Sequence, residues 1–331
     1  MVATFVVRRV ANHAALAVLA ASLGYLLAAA ALDPRAGLED REPRPPQAVI
    51  DARLGALNLD DRKPLAERYL TWARGVAQGD FGRTWDGEPV EGELWRRLGV
   101  SFRLVAPGAV LGGALGVALG AYAAARHGRA ADRLVSGGSY LLLAVPVFVL
   151  APLLQIMAGE ANDALGMRVF VWLGESAPGP SGGRLWDLAD RARRLLLPTA
   201  TIALCQIALY ACYQRGLMLD VLHADHVRAA RARGLRRRGA LLRHGLRTAI
   251  VPMTAYFAYT SGLVLLGGVF TETAFGRHGL GEWLVDSISR GDVNAVAAIE
   301  CLAACAVLLA ALTSDVLAAA LDPRVRAGAA P

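Results

Sequence analysis

Two carboxylates, Glu300 and Asp315, stand inside a long apolar run near the C-terminal end of the chain. Intramembrane acids are costly, and they usually face a protein interior or a water-filled path. Glu300 is therefore a candidate for a substrate path, and either acid could serve as the proton relay of a proton-coupled secondary transporter. Cys205, Cys212, Cys301 and Cys305 also lie in apolar runs, and without CxxC spacing they read as small packing residues. The single lysine, Lys63, sits between Arg62 and Pro64. A phosphate-cradling G-x-x-x-x-G-K-[ST] loop is thus absent, and the chain has no such route to ATP hydrolysis. HExxH, GxSxG and paired catalytic carboxylates are absent as well. No catalytic residue and no metal site is assigned.

The most informative segment runs from Ala224 to Pro252, ADHVRAARARGLRRRGALLRHGLRTAIVP. It reads as two helices divided at a glycine. Asp225 is placed to cap the first, Ala229, Ala230 and Ala232 favour helix, and Gly234 is suited to the left-handed conformation that ends it. The second resumes at about Leu235. A short rigid helix of this kind is a suitable lever, able to dock into a partner's groove and move the spans attached to it. The run Arg236, Arg237 and Arg238 reads as a positive stretch that fixes topology and touches anionic lipid.

These segments hang on an apolar frame. Of 331 residues 55% are apolar, and the mean hydropathy is +0.40. The net charge of +7 comes almost wholly from arginines that punctuate apolar runs, so no basic nucleic-acid face is expected. Six stretches are long enough to cross a hydrocarbon core of roughly 30 Å, at about 10–32, 104–125, 134–158, 195–219, 249–270 and 294–321. The first is too long for a signal-peptide core and is expected to remain as an anchor. Glycines at four-residue spacing in the second (Gly108, Gly112, Gly116, Gly120), with Gly113, and Gly262, Gly267 and Gly268 in the fifth, should let helix backbones approach closely.

With the N-terminus inside, the inner segments hold 16 Arg against 4 Asp, and the outer segments 19 Lys or Arg against 22 acids. The positive-inside rule then puts both termini in the cytoplasm and the 220–248 loop beside them. The outer loop from Asp33 to Arg103 is long and mixed in charge, with an irregular stretch expected around Pro43, Pro45 and Pro46. A second outer segment, TETAFGRHGLGEWLVDSI from Thr271 to Ile288, has Gly276, Gly279 and Gly281 for a tight turn, and Phe275, Leu280 and Trp283 as an apolar face. It is suited to plug an outer mouth or to meet a binding protein.

The inner loop resembles the EAA-loop region of binding-protein-dependent ABC transporter permeases, and specifically the B-type subunit of dipeptide and oligopeptide importers. Asp225, Val227, Arg228, Ala230, Arg231, Ala232, Gly234 and Leu235 match that family's D-x-V-R-x-A-R-A-x-G-L segment. Leu242, Arg243, His244, Leu246, Arg247 and Pro252 match the L-R-H-x-L-R-x-x-x-x-P segment that follows. GDFGRTWDGEPV (Gly79 to Val90), the E-T-x-F-G-x-x-G-L-G pattern beginning at Glu272, and the ending LDPRVR extend the likeness over nearly the whole chain. The chain departs from the pattern after the first span, where only Asp33-Pro34 remains of the usual proline and glycine, and in lacking the glutamate of the general EAA signature.

The resemblance implies an all-α integral membrane protein of the cell membrane. It would have six transmembrane helices, a cytoplasmic coupling-helix loop and a long extracytoplasmic loop after the first helix, all in one transmembrane domain over 1–331. It implies ATPase coupling through Asp225, Val227, Arg228, Ala229, Ala230, Arg231 and Gly234. It also implies an outer gate or binding-protein dock at Glu272, Phe275, Gly276, Gly279, Leu280 and Gly281. The expected partners are a homologous second permease, two ABC ATPases carrying ATP and magnesium, a solute-binding protein and membrane lipid, with no cofactor in this chain.

Overall fold

The computed structural model describes residues 2–39, 43–175, 183–221, 224–266 and 268–321. Gly267 and the basic ending at 322–326 lie outside the described residues, as do the side chains of Arg237, Arg238 and His244. Among the described residues the regular structure is helical, apart from one isolated bridge between Arg83 and Pro89.

Among the described residues four helices are long and apolar enough to cross a bilayer: most of α1 (Val2–Ala31), α5 (Val90–Ala125), α8 (Arg184–Asp220) and most of α14 (Val293–Leu321). A fifth span arises if α6 (Ala130–Ala144) and α7 (Val147–Leu165) are taken together. The sequence predicts one helix over 134–158, but these two are bent by 107°. Pro146 has no N–H to give to the ladder and drives Val145 out of the helical region, to φ −91° and ψ 114°. The fifth predicted stretch is helical as α11 (Leu246–Leu266), which also carries Thr254, Tyr256, Tyr259, Thr260 and Ser261 in its middle.

The chain divides into two compact units, Met1–Ser101 with His278–Leu312, and Phe102–Arg277 with Thr313–Pro331. In the first, the long outer loop is largely folded. It forms α2 (Ala36–Glu39), α3 (Gln47–Ala56) and α4 (Leu65–Ala77), with the proline-rich stretch before α3 irregular. Ile50, Leu54 and Trp72 turn inward from α3 and α4 and bury against Tyr25 of α1 and Val293 and Ala297 of α14. The Tyr25 and Trp72 rings stack at 4.6 Å. Arg35 ties the loop together by pairing with Asp61 at 2.7 Å and Asp51 at 3.0 Å. Ahead of α14, Asp292 is buried and accepts the N–H groups of Trp85 at 2.6 Å and Ala295 at 3.0 Å. Burial pushes its carboxyl above the ordinary value, with the two amide hydrogen bonds opposing the shift.

The second unit is organised by the glycine row of α5 lying on α8. A Cβ built on Gly108 would come within 2.7 Å of Ile202 Cβ, one on Gly112 within 2.5 Å of Gln206 Cβ, and one on Gly116 within 2.8 Å of Tyr210 Cβ. On Gly120 it would come within 2.5 Å of the Ala211 carbonyl oxygen. The close approach anticipated from the four-residue spacing therefore exists, and its partner is α8. Gly113 faces another way, toward the Phe257 ring of α11.

Candidate functional site

The inner loop forms α9 (Asp225–Ala232), a short α10 (Arg237–Ala240) and a π turn (Leu241–Gly245) that leads into α11. Helix resumes at Arg237, not at Leu235. Asp225 does not cap α9; the cap position is Ala224, with no side-chain hydrogen bond, and Asp225 is the first helical residue, paired with Arg228. Its charge still lies in the first turn, where the helix dipole favours it. Gly234 has φ +93°, and the Leu235 N–H reaches back to the Ala230 carbonyl at 3.3 Å, closing the helix in the manner of a Schellman cap. Val227 and Ala230 are buried with Ala240 against Val221 and Leu235, while Arg228, Ala229 and Arg231 are exposed. One face of α9 is thus fixed to its own chain and the other is free to meet a partner.

An ion cluster that the charge count had absorbed anonymously lies on the same side. Asp132, whose side chain is 4% exposed, accepts Arg215 Nε at 2.6 Å and the Gly128 N–H at 2.9 Å, with His127 Nδ1 at 3.0 Å. It binds the α5–α6 turn to α8 five residues before that helix ends at Asp220. An isolated acid in a strongly basic inner segment was the signal available in the sequence.

The six residues assigned to an outer gate fall into different units. Glu272, Phe275 and Gly276 belong to the second, where α12 (Val269–Ala274) carries a fully buried Glu272. Phe275 is fully buried against Ala151, Ala158 and Leu197; its carbonyl accepts the Gly174 N–H at 3.3 Å, and the Gln155 amide donates to the Ala274 carbonyl at 2.7 Å. Arg277 is buried beside them and donates to the Arg194 carbonyl at 3.1 Å. Burial lowers the affinity of its guanidinium for the proton, and Glu175 partly offsets this. Gly279, Leu280 and Gly281 belong to the first unit, at the start of α13 (Leu280–Arg290). There the Leu280 N–H meets Ser101 Oγ at 2.8 Å, and Arg97 pairs with Glu282 at 3.1 Å. Of the three glycines read as turn residues, only Gly276 has positive φ, +60°. Phe275, Leu280 and Trp283 are all interior to their own units.

Glu300 is exposed on α14, and its Cβ lies 3.1 Å from where a Cβ on Gly24 of α1 would stand. Asp315 is part-buried near the other end of that helix. Sequence reading passed over a third feature, a tyrosine group on α8 and α11. The Tyr213 and Tyr256 rings stack at 4.1 Å, Tyr256 meets Tyr210 edge-on at 6.0 Å, and the Tyr210 hydroxyl bonds Thr260 Oγ1 at 2.7 Å. The pairs Tyr210/Tyr213 and Tyr256/Tyr259, each three apart, were the available signal.

An all-helical, multi-pass chain with a short capped helix on a basic loop has the makings of a membrane permease subunit. A family profile described as "Binding-protein-dependent transport system inner membrane component" matches residues 116–327. The chain is 49% identical over 323 residues to the oligopeptide transport system permease protein OppB of Mycobacterium tuberculosis, covering 97% of this chain and 98% of that protein. It is 30% identical over 293 residues to the dipeptide transport system permease protein DppB of Escherichia coli K12, covering 82% and 84%. A putative peptide permease protein of Brucella suis is 30% identical over 287 residues, covering 85% of each chain. The chain belongs to this family of binding-protein-dependent inner membrane components and is a permease subunit of an ABC transport system. The family fits that function and not a proton-coupled secondary transporter.

Proposed function

We propose that this chain forms half of an ATP-driven import pathway for peptides, crossing the membrane six times with both termini in the cytoplasm. The observation that carries the cargo assignment is the end-to-end similarity to an oligopeptide permease. In this reading α11 supplies a span, and a homologous permease supplies the other half of the pathway. Two ATPases bind below, with α9 docking into a groove of one of them, and a solute-binding protein delivers cargo from outside. ATP and magnesium act in the ATPases, whose binding and hydrolysis shift inward- and outward-facing populations through differential contacts at α9.

Support for α9 as the coupling helix comes from its construction. Buried Val227 and Ala230 hold it to its own chain, exposed Arg228, Ala229 and Arg231 face outward, and Gly234 sets the direction in which the chain leaves. The outer segment around Glu272, Phe275, Gly276, Gly279, Leu280 and Gly281 serves the gate or the binding protein through packing within each unit. Glu300, exposed on α14, stands as a substrate-path candidate of the same pathway.

Cysteine at Ala229 tests the coupling role. In membranes holding the whole transporter it should cross-link to an ATPase subunit, and a reporter active only in the cytoplasm should work when fused near Arg238 and fail near Trp85. Cross-linking only to lipid or to the solute-binding protein, or the opposite reporter pattern, would overturn the assignment.

A further inference from the structure

Within the second unit, α8, α11 and the inner end of α14 line an open groove with about 1270 Å³ of free space. Its wall carries Tyr213 on α8, Tyr256 and Tyr259 on α11, and Ser314 on α14, with Asp220 and Arg247 also lining it. We infer that this wall is the surface over which cargo crosses the inner half of the membrane, with Tyr213, Tyr256 and Tyr259 as rungs that accept peptides of differing sequence. The inference rests on the proposed import of peptides and adds to it the residues that meet the cargo.

Three observations carry it. First, the tyrosines of the wall, set among apolar residues such as Leu217, Val251 and Leu321, put hydroxyls where hydrocarbon would leave them unpaired. Tyr213 and Tyr259 are 37% and 42% exposed, and among the described residues the hydroxyls of Tyr213, Tyr256 and Tyr259 make no hydrogen bond. A polar group left so in lipid costs several kcal/mol, whereas one facing a watery path costs nothing comparable. The hydroxyls of Thr254, Thr260 and Ser261 differ in this respect, because each bonds a carbonyl of its own helix.

Second, the wall is held in place from behind. Tyr210 is fully buried and bonded to Thr260, with Gln206 at 3.4 Å, and the Tyr256 ring rests edge-on against it. Gln206 and Tyr210 are themselves seated in the glycine row of α5. Tyr210 is therefore a positioning residue, and the tyrosines in front of it are pre-ordered for contact.

Third, size and charge suit an extended peptide. The free space of the groove exceeds the roughly 300–1,000 Å³ that holds a drug-sized ligand. A tyrosine hydroxyl both donates and accepts, so it serves the N–H and C=O groups of any peptide, while the ring faces take apolar or cationic side chains. Among the described lining residues no charge stands between the tyrosines to demand one partner; Asp220 and Arg247 belong to the helix segments beside the basic loop.

Thiol accessibility tests the inference in the assembled transporter. The four native cysteines are replaced by alanine, Tyr259→Cys or Val18→Cys is introduced, and complexes in proteoliposomes are treated with a membrane-impermeant thiosulfonate from the side of the basic loop. Val18, 67% exposed on the apolar helix α1, supplies the hydrocarbon comparison. A thiol in hydrocarbon loses thiolate roughly tenfold for each unit its pKa rises, so Tyr259→Cys should react at least about tenfold faster than Val18→Cys. Penta-alanine with ATP and the binding protein should slow it about threefold, and Tyr256→Phe should lower uptake roughly two- to tenfold, as for one lost hydrogen bond. Equal reactivity at the two positions, or fast labelling of Tyr259→Cys that penta-alanine leaves unchanged while the complex imports it, would overturn the inference. If the unsubstituted complex imports no peptide but Tyr259→Cys still labels fast, the peptide reading fails while the watery wall stands.

Discussion

Replacing Gly112 by alanine should loosen the seam between α5 and α8. The new Cβ would lie 2.5 Å from Gln206 Cβ, 2.8 Å from the Ala203 carbonyl oxygen and 3.1 Å from Ala203 Cα. Carbon atoms rest at about 3.5–4.0 Å, so the helices must separate by roughly 1 Å. Two of the three obstructing atoms are backbone, and Gln206 Cβ is the root of its side chain, so no rotamer change relieves the clash. Overpacking of this kind costs roughly 1–3 kcal/mol. Alanine returns roughly 0.5–1 kcal/mol of helix propensity, leaving a net loss of about 0.5–2 kcal/mol. Gly137→Ala on α6 is the control, because nothing stands within 4 Å of the Cβ it would add. Midpoints of denaturant unfolding in mixed micelles, read by fluorescence, should fall for Gly112→Ala and hold or rise for Gly137→Ala. If Gly112→Ala is as stable as the parent while the control behaves as stated, the packing argument is wrong.

Asp132→Asn should cost roughly 2–4 kcal/mol, because it leaves the part-buried Arg215 guanidinium without its counter-charge; adding Arg215→Met should recover most of the loss, measured by the same midpoints. Gly234→Pro fixes φ near −65° where the chain has +93° and removes the N–H that bonds the Arg231 carbonyl, so uptake and cargo-stimulated ATP hydrolysis should fall while membrane insertion and expression persist. Asp292 has a folded value above its ordinary 3.8, so the folded state holds that proton more tightly. Its contribution to stability is full below the unfolded value and is lost as pH rises through the folded one. Asp292→Asn should accordingly flatten the fall in unfolding midpoint as pH rises above the ordinary carboxyl value, and an unchanged slope would contradict the assignment.

The helical frame was legible because span length and glycine spacing are one-dimensional signals. Gly108, Gly112, Gly116 and Gly120 announce a close contact, though nothing in their spacing names α8 as the partner. Gly234 was legible as a cap because few other residues tolerate positive φ. Asp225 was misread as a cap since an acid at the first helical position gains from the same dipole as one at the cap. The 107° bend at Pro146 was missed because proline within an apolar run also occurs in continuous helices, as Pro107 and Pro198 do here. The helices α3 and α4 of the outer loop were not anticipated, since they are short and their apolar faces make sense only once Tyr25 and Val293 supply the other side of the core. Asp132 with Arg215, and the tyrosine wall, depend on contacts between distant parts of the chain, so only the fold brings them together.

The central claim is ATP-driven peptide import through a pathway to which this chain contributes half. It is tested most directly by measuring penta-alanine accumulation in proteoliposomes that hold this chain with its partner permease and ATPases, with the binding protein outside and ATP and magnesium inside. Uptake should require every one of those components and persist when the proton gradient is collapsed. Uptake by this chain without the ATPases, driven by a proton gradient and abolished by Glu300→Gln, would contradict the claim.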